Sequence, residues 1–152
     1  GIQLTPVGAN PQATVTGAVV EGNSNGIAAA GGNLKLRDSV VLKNKIGVVL
    51  SGAGDFSGFD LGLDTTTNAG GNVLQDPTAP NSGAGLCIMA TADAGATVWA
   101  RGNRFAVGDA GVDCKTTAAS IGVPAATCAG GANVAGPGAT GNTIHVESCK
   151  LE

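Results

Sequence analysis

One pattern constrains this chain more than any other: a glycine followed by branched apolar residues returns along the sequence. It occurs in GIAAA at Gly26, GVVLS at Gly47, GLCIM at Gly85 and GVDCK at Gly111. The first interval is 21 residues, and the next two are 38 and 26 residues, so an insertion follows the second glycine. A sequence that repeats with a period of this size predicts a solenoid in which each repeat forms one turn.

Each of the first three glycines is followed by two further strand-like runs. After Gly26 these runs are NLKLR and SVVLKN, after Gly47 they are FDLGL and GNVLQD, and after Gly85 they are TVWAR and GNRFAV. Apolar and polar residues alternate in runs such as NLKLR, which favours β-strand over helix. The first repeat extends upstream, because Asn23 precedes Asn44 by the same 21 residues. We expect these two asparagines to form a side-chain ladder at one corner.

The composition suits a narrow interior. Hydrophobic residues make up 43% of the 152 residues, yet aromatic residues make up only 3%, and 26 residues are glycine. The competing architecture is a β-sandwich of hairpins, which needs tight two-residue turns such as Asn-Gly between paired runs. The segments RDS and KNK, between the runs of residues 33–52, are poor turns of that kind. The sequence therefore predicts an all-β solenoid of about five or six short coils.

Length and charge restrict the remaining possibilities. We interpret residues 1–152 as one domain, with repeat coils over 13–113 and a loop-rich C-terminal cap over 114–152. Charged residues are 12% of the chain and the net charge is -3, which argues against nucleic acid as a partner. No run approaches the roughly 20 apolar residues that a membrane helix needs, so we expect no membrane span.

Four cysteines lie in the C-terminal half, at Cys87, Cys114, Cys128 and Cys149. They form no CxxC pair, which argues against zinc, and their even number favours two disulfides, with three of the four cysteines in the cap. The pairing is not determined by the sequence, although Cys114 with Cys128 would close a local loop and leave Cys87 with Cys149. Disulfides predict an exported protein, at the cell surface, in a periplasm or secreted.

Three longer segments resemble a known family. They are GIAAAGGNLKLRDSVVLKNKIGVVLSG, FDLGLDTTTNAGGNVLQD and TVWARGNRFA. They are similar to bacterial right-handed parallel β-helix proteins of the pectate-lyase-like superfamily, over roughly residues 13–113. The resemblance implies coils of three strands that stack into three parallel sheets. It identifies an expected fold, and it carries little information about activity.

Enzymes of that superfamily cleave or epimerise acidic polysaccharides, with carboxylates that hold Ca²⁺ and an arginine or lysine that takes a proton. The candidate binding residues in this chain are Asp60, Asp64, Trp99, Arg101 and Arg104. Asp60 and Asp64 are candidates to flank a Ca²⁺ ion or to form a solvated corner. Trp99 with Arg101 is a candidate for stacking on a sugar ring, or Trp99 packs under the cap.

The remaining polar residues give weaker indications of a functional site. Arg37 and Asp38 are most simply an outward side chain and a turn residue. His145 is the single histidine, and the sequence places it on the outward face of TIHVE without a nucleophile as partner. Thr65 to Thr67 would need equivalent threonines on other coils to make an ice-binding array, and the other runs lack them.

We therefore assign no catalytic residues and expect no resident cofactor. The expected function is that of a non-catalytic exported solenoid module with a structural, adhesive or glycan-contacting role, whose partner is an extracellular glycan or cell-surface component. One alternative is a small relative of polysaccharide lyases or epimerases. A second alternative is a module that self-associates end to end through exposed coil ends.

Overall fold

A computed structural model describes residues 1–5, 12–31, 33–52, 56, 58–64, 66–74, 81, 85–90 and 97–105, with strand residues 120–121, 134–135, 143–145 and 150–151. Within these residues there are fourteen strands and no helix. The strands are β1 (Ile2–Leu4), β2 (Gln12–Thr16), β3 (Val19–Val20), β4 (Asn25–Ala29), β5 (Asn33–Arg37), β6 (Val40–Val41), β7 (Ile46–Gly52), β8 (Leu86–Ala90), β9 (Thr97–Trp99), β10 (Arg104–Phe105), β11 (Ser120–Ile121), β12 (Val134–Ala135), β13 (Thr143–His145) and β14 (Lys150–Leu151).

The strands pair in three groups. The first sheet is parallel throughout, in the order β1-β4-β7-β8-β12. The second strand group contains β2 paired with β5 and, beyond a bridge at Asp60, β9 with β13 and β11. The third strand group contains β3 paired with β6 and, beyond a bridge at Val73, β10 with β14. All described strand pairs are parallel except β11 with β13, which is antiparallel.

The registers confirm the 21-residue period at the start of the chain. Val15 pairs with Leu36, Val19 with Val40, and Asn25 with Ile46. Consequently β5, β6 and β7 pair in three different groups, and none pairs with another strand of residues 33–52. The structure therefore excludes the hairpin alternative for this segment, and the parallel registers are those expected of stacked repeats.

The alternation of the runs follows the division between interior and exterior. Leu34, Phe59 and Val98 are fully buried, and they precede Lys35, Asp60 and Trp99, which occupy paired positions on the other side. Such rows place apolar side chains against equivalent side chains of the next strand, which removes their surface from water. The hydrophobic core also contains the rest of the inward rows, among them Ile27, Val48, Leu86, Leu36, Leu61, Ala100, Val41, Leu74 and Phe105.

The repeated glycines have a steric cause. A Cβ on Gly26 would lie 2.6 Å from the carbonyl oxygen of Gly47 and 2.8 Å from Asn44 Nδ2. A Cβ on Gly47 would in turn collide with the carbonyl oxygen of Gly85. The backbones approach too closely here for any side chain, so glycine is required at these positions of β4 and β7.

The predicted asparagine ladder is confirmed and is longer than expected. Asn23 Nδ2 donates to Asn44 Oδ1 at 3.1 Å, and Asn44 Nδ2 donates to Asn81 Oδ1 at 3.2 Å. The backbone amides of Asn23 and Asn44 also donate to the same oxygens, at 3.0 and 2.9 Å. The amide of each rung therefore fixes the backbone of its neighbour at this corner.

A second ladder follows another corner, and the sequence pattern did not reveal it. Asn72 Nδ2 donates to Asn103 Oδ1 at 2.8 Å, and the Ser39 amide donates to Asn72 Oδ1 at 3.0 Å. The Ala18 amide donates to Ser39 Oγ at 3.1 Å, which extends the ladder by one more rung. The residues just before these rungs all have positive φ, and they are Gly17, Asp38, Gly71 and Gly102. Asp38 is therefore a turn residue, as predicted.

The first sheet continues beyond β8 with a strand from much later in the chain. Cys87 and Ile88 of β8 pair with Val134 and Ala135 of β12. The run at Gly111, which repeats the glycine pattern of the sequence, lies outside the described residues.

The predicted disulfides and most of the predicted cap lie outside what the structure describes, since the side chains of Cys87, Cys114, Cys128 and Cys149 are not among the described ones. The disulfides therefore stay a prediction. Within the described residues, no helix is long and apolar enough to cross a bilayer.

Candidate functional site

Four of the five predicted site residues lie on or beside the outer side of the second strand group. Asp60 bridges to Lys35 on one side and to Trp99 on the other, and Arg101 follows Trp99 by two residues on the same side. Asp64 lies in the segment that follows Asp60 and covers this surface. We call the outer surface formed by Lys35, Arg37, Asp60, Trp99 and Arg101 the central face.

Arg104 does not belong to the central face. It pairs with Val73 and with Lys150 in the third strand group, where it occupies the outward row. His145 pairs with Trp99 in register, which extends the central face by one backbone position. The side chain of His145 is outside the described residues.

A buried ion pair lies at the centre of the face. Arg37 Nη2 donates to Asp60 Oδ2 at 2.6 Å, and the two side chains are only 10% and 12% exposed. Arg37 Nη1 donates to the carbonyl oxygens of Leu36 and Asp60 at 2.8 and 3.1 Å. Arg37 is therefore on the outward side of its strand, as predicted, but its guanidinium is buried and ion-paired.

The covering segment consists of residues 62–64 and 66–70, and Arg37 itself holds it. Arg37 Nη2 donates to Asn68 Oδ1 at 3.2 Å. Asp60 Oδ1 accepts the backbone amide of Gly62 at 2.8 Å, where the segment begins. Both oxygens of the Asp60 carboxylate are thus hydrogen-bonded within the protein.

Asp64 holds the same segment from inside. Its Oδ1 accepts the backbone amides of Thr66, Thr67 and Asn68, each at 2.8 Å, and its Oδ2 accepts the Thr67 hydroxyl at 2.7 Å. The hydrogen bonds from the Asn68 amide, the Thr67 hydroxyl and the Thr66 amide lower the pKa of Asp64 from 3.8 to about 2. These contacts favour the charged carboxylate, so Asp64 acts as a turn-stabilising anion.

Trp99 and Arg101 form a partly exposed pair on the central face. The guanidinium of Arg101 lies 4.5 Å from the ring centre of Trp99, which confirms the predicted proximity of the two side chains. Arg101 Nη1 also donates to the carbonyl oxygen of Leu63 at 2.6 Å. Both side chains are partly exposed, and Leu63 beside them is 41% exposed.

The carboxylates of this site are engaged in contacts within the protein. The Asp60 carboxylate is neutralised by Arg37, and the Asp64 carboxylate is directed at its own backbone amides. Among the described residues, no three acidic, histidine or cysteine side chains come together as metal ligands would. Thr66 and Thr67 are exposed, but Thr67 donates its hydroxyl to Asp64, and Thr65 is outside the described residues.

Sequence reasoning missed Asn68, which joins Arg37 to the covering segment. Its signal is weak, because an asparagine in a run of Thr, Asn and Gly is typical of any loop.

Comparison of the chain with known protein families, with curated proteins and with solved structures found no match.

Proposed function

We propose that this chain is a right-handed parallel β-helix that serves as a rigid, non-catalytic module of an exported protein. The parallel registers, the glycine column and the two ladders support the solenoid, because each is a contact between one repeat and the next. The right-handed sense is the one that parallel crossover connections nearly always adopt.

The observation that carries the non-catalytic assignment is the state of the charged groups on the central face. A lyase needs a base that reaches the substrate and carboxylates that are open to a cation. Here Arg37 is paired with Asp60, Arg101 donates to Leu63, and Asp64 is bonded to its own loop. These side chains stabilise the covering segment, and a groove built for catalysis would direct them outward.

A turnover assay tests this proposal against the lyase alternative. The protein is incubated with a panel of acidic polysaccharides, with and without Ca²⁺, and unsaturated products are followed by their ultraviolet absorbance. We expect no product under either condition. Turnover that disappears in Arg101→Ala, with an unchanged circular dichroism spectrum, would establish an enzyme and overturn the proposal.

An adhesive role through glycan contact is supported by Trp99 and Arg101. A partly exposed indole beside a guanidinium offers both an apolar surface and donors, which suits a sugar ring. Glycan-array binding by the wild type should be lost in Trp99→Ala and kept in Val19→Ala, which removes an exposed side chain from the third strand group. Loss of signal in both variants, or in neither, would contradict this role.

Export is proposed on the four cysteines alone, so it is tested separately. Alkylation under non-reducing conditions, followed by mass spectrometry, should leave all four cysteines unmodified if they form two disulfides. Four alkylated thiols would remove the argument for export.

A further inference from the structure

Both ends of the covering segment contact the backbone of Arg101. The Arg101 amide donates to the carbonyl oxygen of Gly62 at 3.0 Å, and the Arg101 carbonyl oxygen accepts the Gly70 amide at 2.8 Å. Gly62 and Gly70 are the first and last residues of the segment. The segment is therefore anchored on the same residue whose side chain lies over the Trp99 ring.

The two ends of the segment meet in a narrow neck. A Cβ on Gly62 would lie 2.6 Å from the amide nitrogen of Gly70 and would collide with the carbonyl oxygen of Arg101. A Cβ on Gly70 would collide with the carbonyl oxygen of Leu61 and with Asn103 Oδ1. Gly62 also has a φ of 144°, which residues with a side chain rarely adopt. This close packing leaves the segment little freedom to shift relative to Arg101.

The covering segment also contacts the side chain of Arg101, through Leu63. Arg101 Nη1 donates to the Leu63 carbonyl oxygen at 2.6 Å. That carbonyl group shares a planar peptide unit with the Asp64 amide, so contacts that fix the backbone at Asp64 also fix the direction of the carbonyl. The Leu63 amide donates to the Asn68 carbonyl oxygen at 3.0 Å, and the Asp64 carboxylate accepts three backbone amides of the same turn. The turn held by Asp64 therefore determines where the acceptor for Arg101 lies.

We propose that Asp64 is a positioning residue of the glycan contact. It fixes the Leu63 carbonyl group, which holds the Arg101 guanidinium over the Trp99 ring before a glycan binds. An arginine side chain has many rotamers, and ordering it during binding would weaken the affinity. A guanidinium that is already held avoids this loss. The role in glycan binding rests on the proposed function, whereas the positioning of Arg101 does not.

The contacts of Asp64 favour positioning over direct contact with a glycan. Its Oδ1 accepts three amides and its Oδ2 accepts the Thr67 hydroxyl, so both oxygens are directed into the covering segment. Positioning needs an acceptor oxygen at this place and does not need a charge. Asp64→Asn, which keeps one such oxygen, should therefore preserve it.

Fluorescence of the full chain without glycan tests whether Asp64 positions Arg101. Trp99 is the single tryptophan, so emission and its quenching by acrylamide report on the guanidinium over its ring. Arg101→Ala supplies the reference for an uncovered ring. Asp64→Ala should shift the emission toward that reference and make the ring easier to quench, whereas Asp64→Asn should keep the wild-type values.

Thr66→Ala provides the matched control within the covering segment. Thr66 is exposed, and its contact with Asp64 is made by its backbone amide, which alanine retains. Its emission and quenching should equal those of the wild type. On the glycan array, Arg101→Ala and Asp64→Ala should bind about tenfold more weakly than the wild type, as expected for loss of one hydrogen bond to a charged group. Asp64→Asn and Thr66→Ala should bind like the wild type.

The two measurements separate the positioning role from the proposed function. Wild-type emission in Asp64→Ala would overturn the proposal even if its melting temperature falls, because Asp64 would then stabilise only its own turn. Shifted emission with unchanged glycan binding would also overturn it, since the place of Arg101 would not matter to the glycan. A wild type that binds no glycan would refute the glycan contact and the binding role of Asp64 with it. The emission would then still decide whether Asp64 positions Arg101.

Discussion

Removal of the Asn44 side chain should destabilise this protein, because its amide holds backbone groups in a buried position of the first ladder. Asn44 is 3% exposed. Nδ2 donates to the carbonyl oxygens of Val20 and Leu42, both at 2.9 Å, and Oδ1 accepts the backbone amide of Asn23. In Asn44→Ala the Val20 oxygen keeps the Leu42 amide as a donor, at 3.2 Å. The Leu42 oxygen and the Asn23 amide lose the partner that Asn44 gave them.

The orphaned Leu42 oxygen is buried and costs about 1 to 3 kcal/mol, whereas the partly buried Asn23 amide costs about 0.5 to 1.5 kcal/mol, so we expect Asn44→Ala to lower the free energy of unfolding by about 1.5 to 4.5 kcal/mol. That is a large share of the total, which is about 5 to 15 kcal/mol in most domains. The midpoint of thermal unfolding should fall by roughly 2 to 4 °C for each kcal/mol lost. Denaturant titration and thermal melting followed by circular dichroism measure both quantities.

The matched control is Asn23→Ala, at the solvent-exposed end of the same ladder. Asn23 Nδ2 donates to the Glu21 oxygen at 2.8 Å in an exposed position, where water can replace it. The loss should therefore be only about 0.5 to 1.5 kcal/mol. Equal losses in the two variants would refute the reasoning, because they would show that burial of the ladder does not determine its contribution.

Three further predictions concern other contacts. Asp60→Asn should lower the free energy of unfolding by about 3 kcal/mol in denaturant titration, because it leaves the buried Arg37 charge unpaired. Glu21→Gln, in the exposed pair with Lys43, should lower it by less than about 1 kcal/mol, and similar losses in the two variants would contradict the prediction. Gly26→Ala should lower the free energy of unfolding by about 1 to 3 kcal/mol, because the added Cβ overpacks the contact between strands. Gly17→Asn should change it by no more than about 0.5 kcal/mol, because Gly17 has positive φ and no atom lies near its Cβ position. The reverse order in thermal melts would contradict the steric account. Because the pKa of Asp64 is lower in the folded state, its contribution to stability is complete above pH 3.8 and is lost as the pH falls toward about 2. Asp64→Asn should therefore lose less stability than the wild type over this pH range. An unchanged dependence of stability on pH in Asp64→Asn would count against the loop contacts.

The sequence predicted the features that local copies repeat. The strands of residues 12–52, the inward leucines and the Asn23 to Asn44 rung all follow one 21-residue period, so alignment of the sequence with itself was sufficient. The next rung, Asn81, lies 37 residues from Asn44, and the register is lost across that distance without knowledge of the insertion. The physical constraint on the ladder is an amide contact in space, and sequence spacing predicts that contact only where successive repeats are equal in length.

The central face was predicted in part for the same reason. Trp99 is the last residue of β9 and Arg101 follows it by two residues, so the two-residue period of a strand, continued past its end, predicted their proximity. The burial of Arg37 depends on how residues 62–70 fold back over it, and Asp64 determines that fold through its own backbone contacts. No pattern at Arg37 itself carries that information, since a basic residue on a polar face is usually solvated.

The ladder through Asn44 has an implication for how the chain can change in length. The same amide contact joins rungs separated by 21 residues on one side and by 37 on the other, at side-chain distances of 3.1 and 3.2 Å. The spacing of the rungs is therefore independent of how much chain connects them. New segments can be grafted between rungs, in the way that residues 62–70 are carried here, while the stacked strands keep their registers. A scaffold of this type can therefore gain loops between rungs without repacking its hydrophobic core.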